Sequence, residues 1–307
     1  MSDAPEIYSA ADLAQGGEVL RSLNPPARFA IFGDPIAHSA SPRMQNAALQ
    51  EKQRPFQYVR IHVTPPELKN ALGELAAADF LGINITIPHK QAALNLMDHI
   101  DPVAQMMGAI NTVAVREGKL HGFNTDGPGF AKAFREEFST SLRDKNILIL
   151  GGAGGAGRAI AVQCLVEGGI PIIANRNKTK GDLLKDLIDQ EWDDYAGILK
   201  SIDMGKETLA YAVKSSTIII NATPLGMKSS DPSPLPDSLL TKDHLVYDTV
   251  YSGGTTALLR QAEQAGAKSA NGFSMLLHQG AKAFEIWFNE TAPLEVMRSA
   301  LKSPTGS

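Results

Sequence analysis

Lys90 ends a strand-like run, Asn84-Ile85-Thr86-Ile87-Pro88-His89-Lys90, and Asp126 lies in Asn124-Thr125-Asp126-Gly127. An amine beside a carboxylate can take the proton of an alcohol and return it, which oxidation of a CH–OH group by hydride transfer requires. Neither residue says this alone. A lysine at a strand end is ordinarily a solvated charge, and an aspartate before a helix is ordinarily its cap. The two form an ion pair if the strand ends meet, and their neighbours are polar in a pattern that asks for an explanation. Asn84 and Thr86 alternate onto one face, opposite Ile83, Ile85 and Ile87, and need partners if that face is covered. Asn111-Thr112 adds an amide and a hydroxyl. Ser39 and Ser41, in Pro35-Ile36-Ala37-His38-Ser39-Ala40-Ser41-Pro42, are separated by one residue and can converge on a carboxylate. Ser41 before Pro42 equally suits a helix N-cap, and both roles are compatible because a helix N-terminus favours an anion.

A second constellation is the glycine-rich turn Gly151-Gly152-Ala153-Gly154-Gly155-Ala156, running on to Gly157-Arg158. It follows the apolar run Asn146–Leu150 and opens a helical stretch, the two flanks a dinucleotide-binding turn needs. Glycines let the backbone approach a pyrophosphate, and the helix N–H groups supply donors. A tight strand-to-helix turn uses the same residues, so the flanks carry the reading. The next strand ends Ala174-Asn175-Arg176-Asn177 with no acid for ribose hydroxyls. Arg176 instead offers a guanidinium to a 2′-phosphate, with Lys178 and Lys180 adding charge, and this points to NADP. The seven histidines show no H-x-x-x-H or Cys/His spacing, which argues against a metal. Strand alternation would turn His89 away from Lys90.

The elements that position these residues alternate between strand-like and helix-like runs, an α/β pattern with parallel sheets. Strands are expected at 28–33, 57–63, 80–87, 146–150, 171–174, 217–221 and 245–248, with a hairpin of 109–116 and 119–123. Helices are expected at 42–53, 66–78, 90–97, 127–138, 255–265 and 273–288. The charged stretch 182–213 has too weak a period to assign. With 307 residues, 43% hydrophobic and 20% charged, the chain reads as about two globular domains. A net charge of −4 gives no electrostatic footprint for nucleic acid or an anionic membrane. The one cysteine, Cys164, sits in an apolar helical stretch and suits a reducing compartment. The acidic first ~25 residues lack the pattern of a signal peptide, and no apolar run reaches the ~20 residues of a membrane helix. A short helix capped at Ser9 is expected there.

Nine blocks then resemble one family, the shikimate dehydrogenases: GDPIAHSASPRMQN (33–46), GINITIPHK (82–90), GAINTV (108–113), GFNTDG (122–127), GGAGGAGR (151–158), ANRN (174–177), NATPLGM (221–227), YDTVY (247–251) and NGFSMLLHQGAKAFEIW (271–287). They occur in family order and cover nearly everything from Phe29 to Phe288. The resemblance implies an α/β fold with an N-terminal substrate domain (28–125 with 272–307), a Rossmann-type NADP domain (126–271) and a C-terminal helix returning to the first, preceded by an extension (1–27). It implies that Ser39 and Ser41 hold a carboxylate, that Asn84, Thr86, Asn111, Asp126 and Gln279 meet ring hydroxyls, and that Tyr251 lies near the substrate. Lys90 and Asp126 become the acid–base pair. Gly151 to Ala156 (Gly151, Gly152, Ala153, Gly154, Gly155, Ala156), Asn175, Arg176, Asn177, Lys180, Thr223, Gly272 and Met275 become the cofactor site. Asn177 and Lys180 replace a threonine and an arginine common in the family, and both still suit a phosphate.

The implied reaction is the NADPH-dependent, reversible reduction of 3-dehydroshikimate to shikimate, on the path to chorismate, in a cytoplasmic monomer or homodimer without membrane or nucleic-acid partners. Serine at both positions, rather than the Ser-x-Thr or Ser-x-Gly commoner in quinate users, points to shikimate. The rival readings are a quinate/shikimate dehydrogenase, a paralogue acting on another cyclic polyol acid, and a catalytically silent NADP-binding sensor.

Overall fold

The apolar runs become the middle strands of two sheets. The computed structural model describes residues 7–251 and 254–302. These form two units, one of the described residues up to Thr125 and from Leu277 on, the other Asp126–Leu276.

The first unit holds strands β1 (Ile7–Ser9), β2 (Ala27–Gly33), β3 (Gln57–His62), β4 (Gly82–Ile85), β5 (His99–Ile100), β6 (Thr112–Arg116) and β7 (Lys119–Phe123). Their order is β1-β3-β2-β4-β6-β7-β5. The strands β1, β3, β2 and β4 run parallel, while β6 lies antiparallel to β4 and β7. Helices α1 (Glu18–Arg21), α2 (Ser41–Glu51), α3 (Leu68–Glu74) and α4 (Pro102–Met107) complete this part. The core includes Leu13, Leu20, Phe32, Ile61, Leu72, Phe80, Ile83 and Val113. Asp101 caps α4 by accepting from the Val103 and Ala104 N–H groups at 3.0 and 3.1 Å.

Two expectations change here. The described part of the N-terminal extension is built into the sheet: β1 pairs with β3, and Tyr8, Leu13 and Leu20 are buried. The turn after Ser9 is a 3₁₀ helix, with the Ser9 N–H and hydroxyl donating to Asp12 at 2.7 and 2.8 Å. The helix expected at 90–97 is only a 3₁₀ turn at Ala92–Leu96. Asp98 ends it by exchanging bonds with Leu120, through its N–H to the Leu120 carbonyl at 2.9 Å and through its carboxylate from the Leu120 N–H at 2.7 Å, which leads the chain into β5.

The second unit contains α5 (Asp126–Phe138), β8 (Asn146–Leu150), α6 (Gly155–Val166), β9 (Ile170–Ala174), α7 (Lys178–Glu191), β10 (Lys200–Ile202), α8 (Lys206–Ser215), β11 (Ile218–Asn221), β12 (Leu245–Asp248), α9 (Ala257–Gln264) and β13 (Lys268–Asn271). All six strands are parallel in the order β10-β9-β8-β11-β12-β13. That is the doubly wound order, reversing between β8 and β11, where such sheets bind ligands at their carboxyl ends. The unassigned stretch 182–213 becomes α7, β10 and α8. In α7 only Gly181, Leu184 and Ile188 are buried, too narrow a stripe to show a period. Cys164 is buried in α6, and burial pushes its thiol up.

A buried carboxylate ties the end of β12. Asp248 accepts from Asn221 at 2.9 Å, from the Val250 N–H at 3.1 Å and from the Thr256 hydroxyl at 2.6 Å. Asp248→Ala strands three buried donors and is expected to cost about 3 kcal/mol, read as a lowered thermal midpoint.

Helices α10 (Phe273–Phe288) and α11 (Leu294–Lys302) carry the chain back to the first unit. Trp287 donates to the Val113 carbonyl at 3.0 Å, Gln45 to that of Gly280 at 2.9 Å and Arg43 to that of Leu301 at 2.7 Å. Gly82 makes room for this packing, since a Cβ there would lie 2.2 Å from the Trp287 ring nitrogen.

Candidate active site

In the first unit the parallel strands β2, β3 and β4 end on one side of the sheet, and the loops leaving them carry the candidate residues. Ser39 lies half-buried in the loop after β2, and Ser41 is the first residue of α2. The N-cap is Ala40, so the capping role open to Ser41 is not the one it takes. The Ser39 hydroxyl instead accepts from the Ser41 N–H at 3.3 Å.

Asn84 and Asn111 are nearly inaccessible, at 5% and 2% exposure. The Asn84 amide donates to the Asn111 carbonyl at 3.2 Å and to the Thr112 hydroxyl at 3.0 Å, while its oxygen accepts from Tyr58 at 2.8 Å. Both amide hydrogens are therefore in use, and Asn84 has only a second lone pair left to offer a ligand. The Asn111 oxygen accepts from the Thr125 N–H at 2.7 Å and its nitrogen donates to the Thr125 hydroxyl at 3.0 Å. The chain of contacts Tyr58–Asn84–Thr112–Asn111–Thr125 thus ends one residue before Asp126, which opens α5 and is itself buried. A carboxylate in that first turn suits the helix dipole.

Lys90 is half-buried in the turn after β4. Its carbonyl accepts from the Ile110 N–H at 2.7 Å. His89 beside it is 1% exposed and its ring meets the Val63 carbonyl at 2.6 Å, so this histidine holds the turn from behind. Thr86 is half-buried over Gly33, and Gln279 is half-buried in α10.

Sequence reasoning missed Tyr58 and Arg60, which share one face of β3. Burial raises the Tyr58 phenol well above its ordinary range, and the Ser41 hydroxyl interacts with it. Arg60, 9% exposed, donates to the Ser39 carbonyl through Nε at 3.2 Å and Nη2 at 2.5 Å. An arginine in a strand otherwise reading as buried was the signal, because charged residues are almost never so buried without a purpose.

In the second unit Gly151–Gly154 bridge β8 and α6. Gly154 is the N-cap of α6, and no side chain caps that end. A Cβ on Gly157 would lie 2.3 Å from the Gly151 oxygen, and one on Gly152 2.4 Å from Ile173. The turn is closed as tightly as backbone allows and presents the first N–H groups of α6. Asn175 fastens it, its oxygen accepting from the Ala153 N–H at 2.9 Å, while its buried Nδ2 has no protein partner. Arg176, Asn177 and Lys180 are exposed after β9. Lys178 is held by Asp182 at 2.7 Å and contributes less charge than expected. Thr223 packs against Gly151, with its hydroxyl donating to Asn221 at 2.7 Å. The Tyr247 phenol accepts from the Met275 N–H at 3.1 Å, and Gly272 lies against Thr249, whose carbonyl would be 2.0 Å from any Cβ there. Tyr251 follows β12, 42% exposed.

Among the described residues no three His, Cys, Asp or Glu side chains are grouped to hold a metal ion, and no helix is long and apolar enough to cross a membrane.

The model of the shikimate dehydrogenase substrate binding domain matches residues 31–113, and that of the shikimate 5'-dehydrogenase C-terminal domain matches residues 272–302. The shikimate dehydrogenase (NADP(+)) of Desulforamulus reducens is 40% identical over 274 residues, 88% of this chain and 93% of the relative. Shikimate 5-dehydrogenase of Thermus thermophilus, solved with NADP(H) and shikimate, has a TM-score of 0.77 at 35% identity, covering 90% of this chain and 98% of its own. Quinate dehydrogenase of Corynebacterium glutamicum, solved with NAD, has a TM-score of 0.80 at 28% identity, covering 89% of this chain and 97% of its own. With a relative this similar over nearly its whole length, the chain belongs to the shikimate dehydrogenase family.

Proposed function

We propose that this chain catalyses the reversible, NADP-dependent interconversion of 3-dehydroshikimate and shikimate. The observation that carries the reading is the buried polar chain from Tyr58 to Thr125, in which Tyr58, Thr112 and Thr125 fix Asn84 and Asn111 and which leads to Asp126. Such a network orders a polar pocket at a cost no mere core requires.

The residues of the second unit fit NADP. The uncapped start of α6 offers N–H donors to a pyrophosphate, the turn has no Cβ in the way, and the exposed Arg176 after β9 would meet a 2′-phosphate. Asn177 and Lys180 would add to that phosphate contact, Thr223 packs on the glycine turn, and Gly272 and Met275 would meet the nicotinamide. When bound, NADPH supplies the hydride that reduces C3 of the substrate.

This chain's residues do the rest. Ser39 and Ser41 donate to the substrate carboxylate, and Tyr251 is a further substrate-binding residue. Thr86, Asn111 and Gln279 take ring hydroxyls, and Asn84 contributes its remaining lone pair. Lys90 gives its proton to the C3 oxygen during reduction and takes it back during oxidation. Asp126 is its partner in the acid–base pair. The single cysteine and the net charge of −4 support a cytoplasmic enzyme without nucleic-acid or membrane partners, acting as a monomer or homodimer.

Initial rates with shikimate and quinate, each against NADP and NAD, test the assignment. Shikimate with NADP is expected to give the highest kcat/KM; a higher value for quinate with NAD overturns it. That second reading has its own support, since Arg176 is exposed and Lys178 is engaged by Asp182. NADPH binding without turnover of any cyclic polyol acid would leave a sensor. Arg176→Ala is expected to raise KM for NADPH about tenfold or more while leaving NADH kinetics unchanged, as removal of a charge-assisted phosphate contact should.

A further inference from the structure

Arg60 holds a charge that the first unit does not neutralise. As a whole residue Arg60 is 9% exposed, and its hydrogen bonds go to a neutral carbonyl, that of Ser39. The charged and titratable groups acting on it are the Tyr58 phenol, which stays protonated in its buried position, and Arg43, a like charge. Among the described residues no carboxylate reaches it. Burial lowers the Arg60 guanidinium from its ordinary range, and a partly desolvated cation is costly unless an anion answers it. The residue it grips is one of the two serines proposed to hold a carboxylate, and the Ser39 hydroxyl in turn accepts from the Ser41 N–H at 3.3 Å. The mouth of the site is thus a loop pinned from behind by an uncompensated positive charge.

We propose that Arg60 is a positioning and specificity residue that makes the site select an anionic substrate, its charge being balanced by the substrate carboxylate that Ser39 and Ser41 bind. The inference rests on the shikimate reading and deepens it. Arg60 acts in two ways. The two-point hold on the Ser39 carbonyl fixes where both hydroxyls stand. The charge behind that carbonyl makes the loop favourable to a carboxylate and indifferent to a neutral ester of the same shape.

The test compares shikimate with its methyl ester, both oxidised with NADP, in wild type, Arg60→Gln and Arg60→Lys. In Arg60→Gln, kcat/KM for shikimate is expected to fall about tenfold or more, chiefly through KM, the scale of one lost charge-assisted interaction. The ester, which loses only the positional hold, should fall by clearly less than the acid, and KM for NADP should stay as it was. Arg60→Lys keeps the charge and should retain the preference for the acid while losing part of the positional hold. Where the ester turns over too slowly, its inhibition constant against shikimate replaces its rate. Equal losses for acid and ester would reduce Arg60 to scaffold and overturn the proposal, as would an unchanged acid-to-ester ratio. If Arg60→Gln does not fold, loss of the acid preference in Arg60→Lys overturns it instead. A wild type that does not oxidise shikimate at all would defeat the functional reading and leave the Arg60 comparison to be made on whichever acid it uses.

Discussion

Lys90→Ala is expected to lower kcat for shikimate oxidation by roughly 10²–10⁴-fold, the range lost when a positioned proton-transfer group is removed. KM for NADPH should not move, because the residues proposed to hold the cofactor belong to the other unit. The fold should survive. The turn carrying Lys90 is fixed by its backbone, with the Ile110 N–H on the Lys90 carbonyl at 2.7 Å, and by the buried His89 ring on Val63 at 2.6 Å. Neither contact uses the amine. The fold should therefore be kept while turnover collapses. Lys90→Arg is expected not to restore the rate, since a guanidinium keeps its proton at any working pH. Wild-type-like turnover in Lys90→Ala, measured by initial rates at saturating cofactor, would remove Lys90 from the mechanism.

Gly157→Ala is expected to be nearly as damaging by a different route. The added methyl would stand 2.3 Å from the Gly151 oxygen and 2.7 Å from the Gly152 Cα. Both are backbone atoms of the same turn, so no side chain can swing aside. The first turn of α6 must move away from the end of β8, and the N–H groups proposed to meet the pyrophosphate move with it. A KM for NADPH raised about tenfold or more is expected, with a stability loss of about 1–3 kcal/mol from overpacking. Gly154→Ala should be milder, its methyl meeting the Gly151 oxygen at 3.3 Å. Gly73→Ala is the control: nothing lies within 4 Å of its added methyl, and a helical alanine there should stabilise by about 0.5–1 kcal/mol. Isothermal titration with NADPH and thermal melts read all three.

The buried strands were legible because a parallel sheet covered on both faces demands continuous apolar runs, as in Asn146–Leu150 and Ile218–Asn221. The glycine turn was legible because its flanks were. Edge elements were not. The strand Lys268–Asn271 is polar and mostly exposed, and nothing in it alternates. The strand Ile7–Ser9 buries only Tyr8. The helix Pro102–Met107 went unassigned although Asp101 before Pro102 is a readable cap. Leu294–Lys302 went unassigned although Leu294, Met297 and Leu301 recur at helical spacing.

The sequence by itself determined which residues can do chemistry: a lysine and an aspartate at element ends, two spaced serines, a glycine turn and an arginine where an acid would serve NAD. It also determined, by alternation, that Asn84 and Thr86 share a face. Only the tertiary structure decided that Tyr58 and Arg60 of β3 lie on the same side of the sheet as that face. Ile31 of β2 lies in register with Arg60 on one side and Asn84 on the other, so residues 24 positions apart in the chain flank one strand. That placement lets Tyr58 reach Asn84 and Arg60 reach Ser39. The reason is physical. A strand's own period fixes where its side chains point, but the order of strands in a parallel sheet is set by long-range crossovers and packing, which local sequence does not carry.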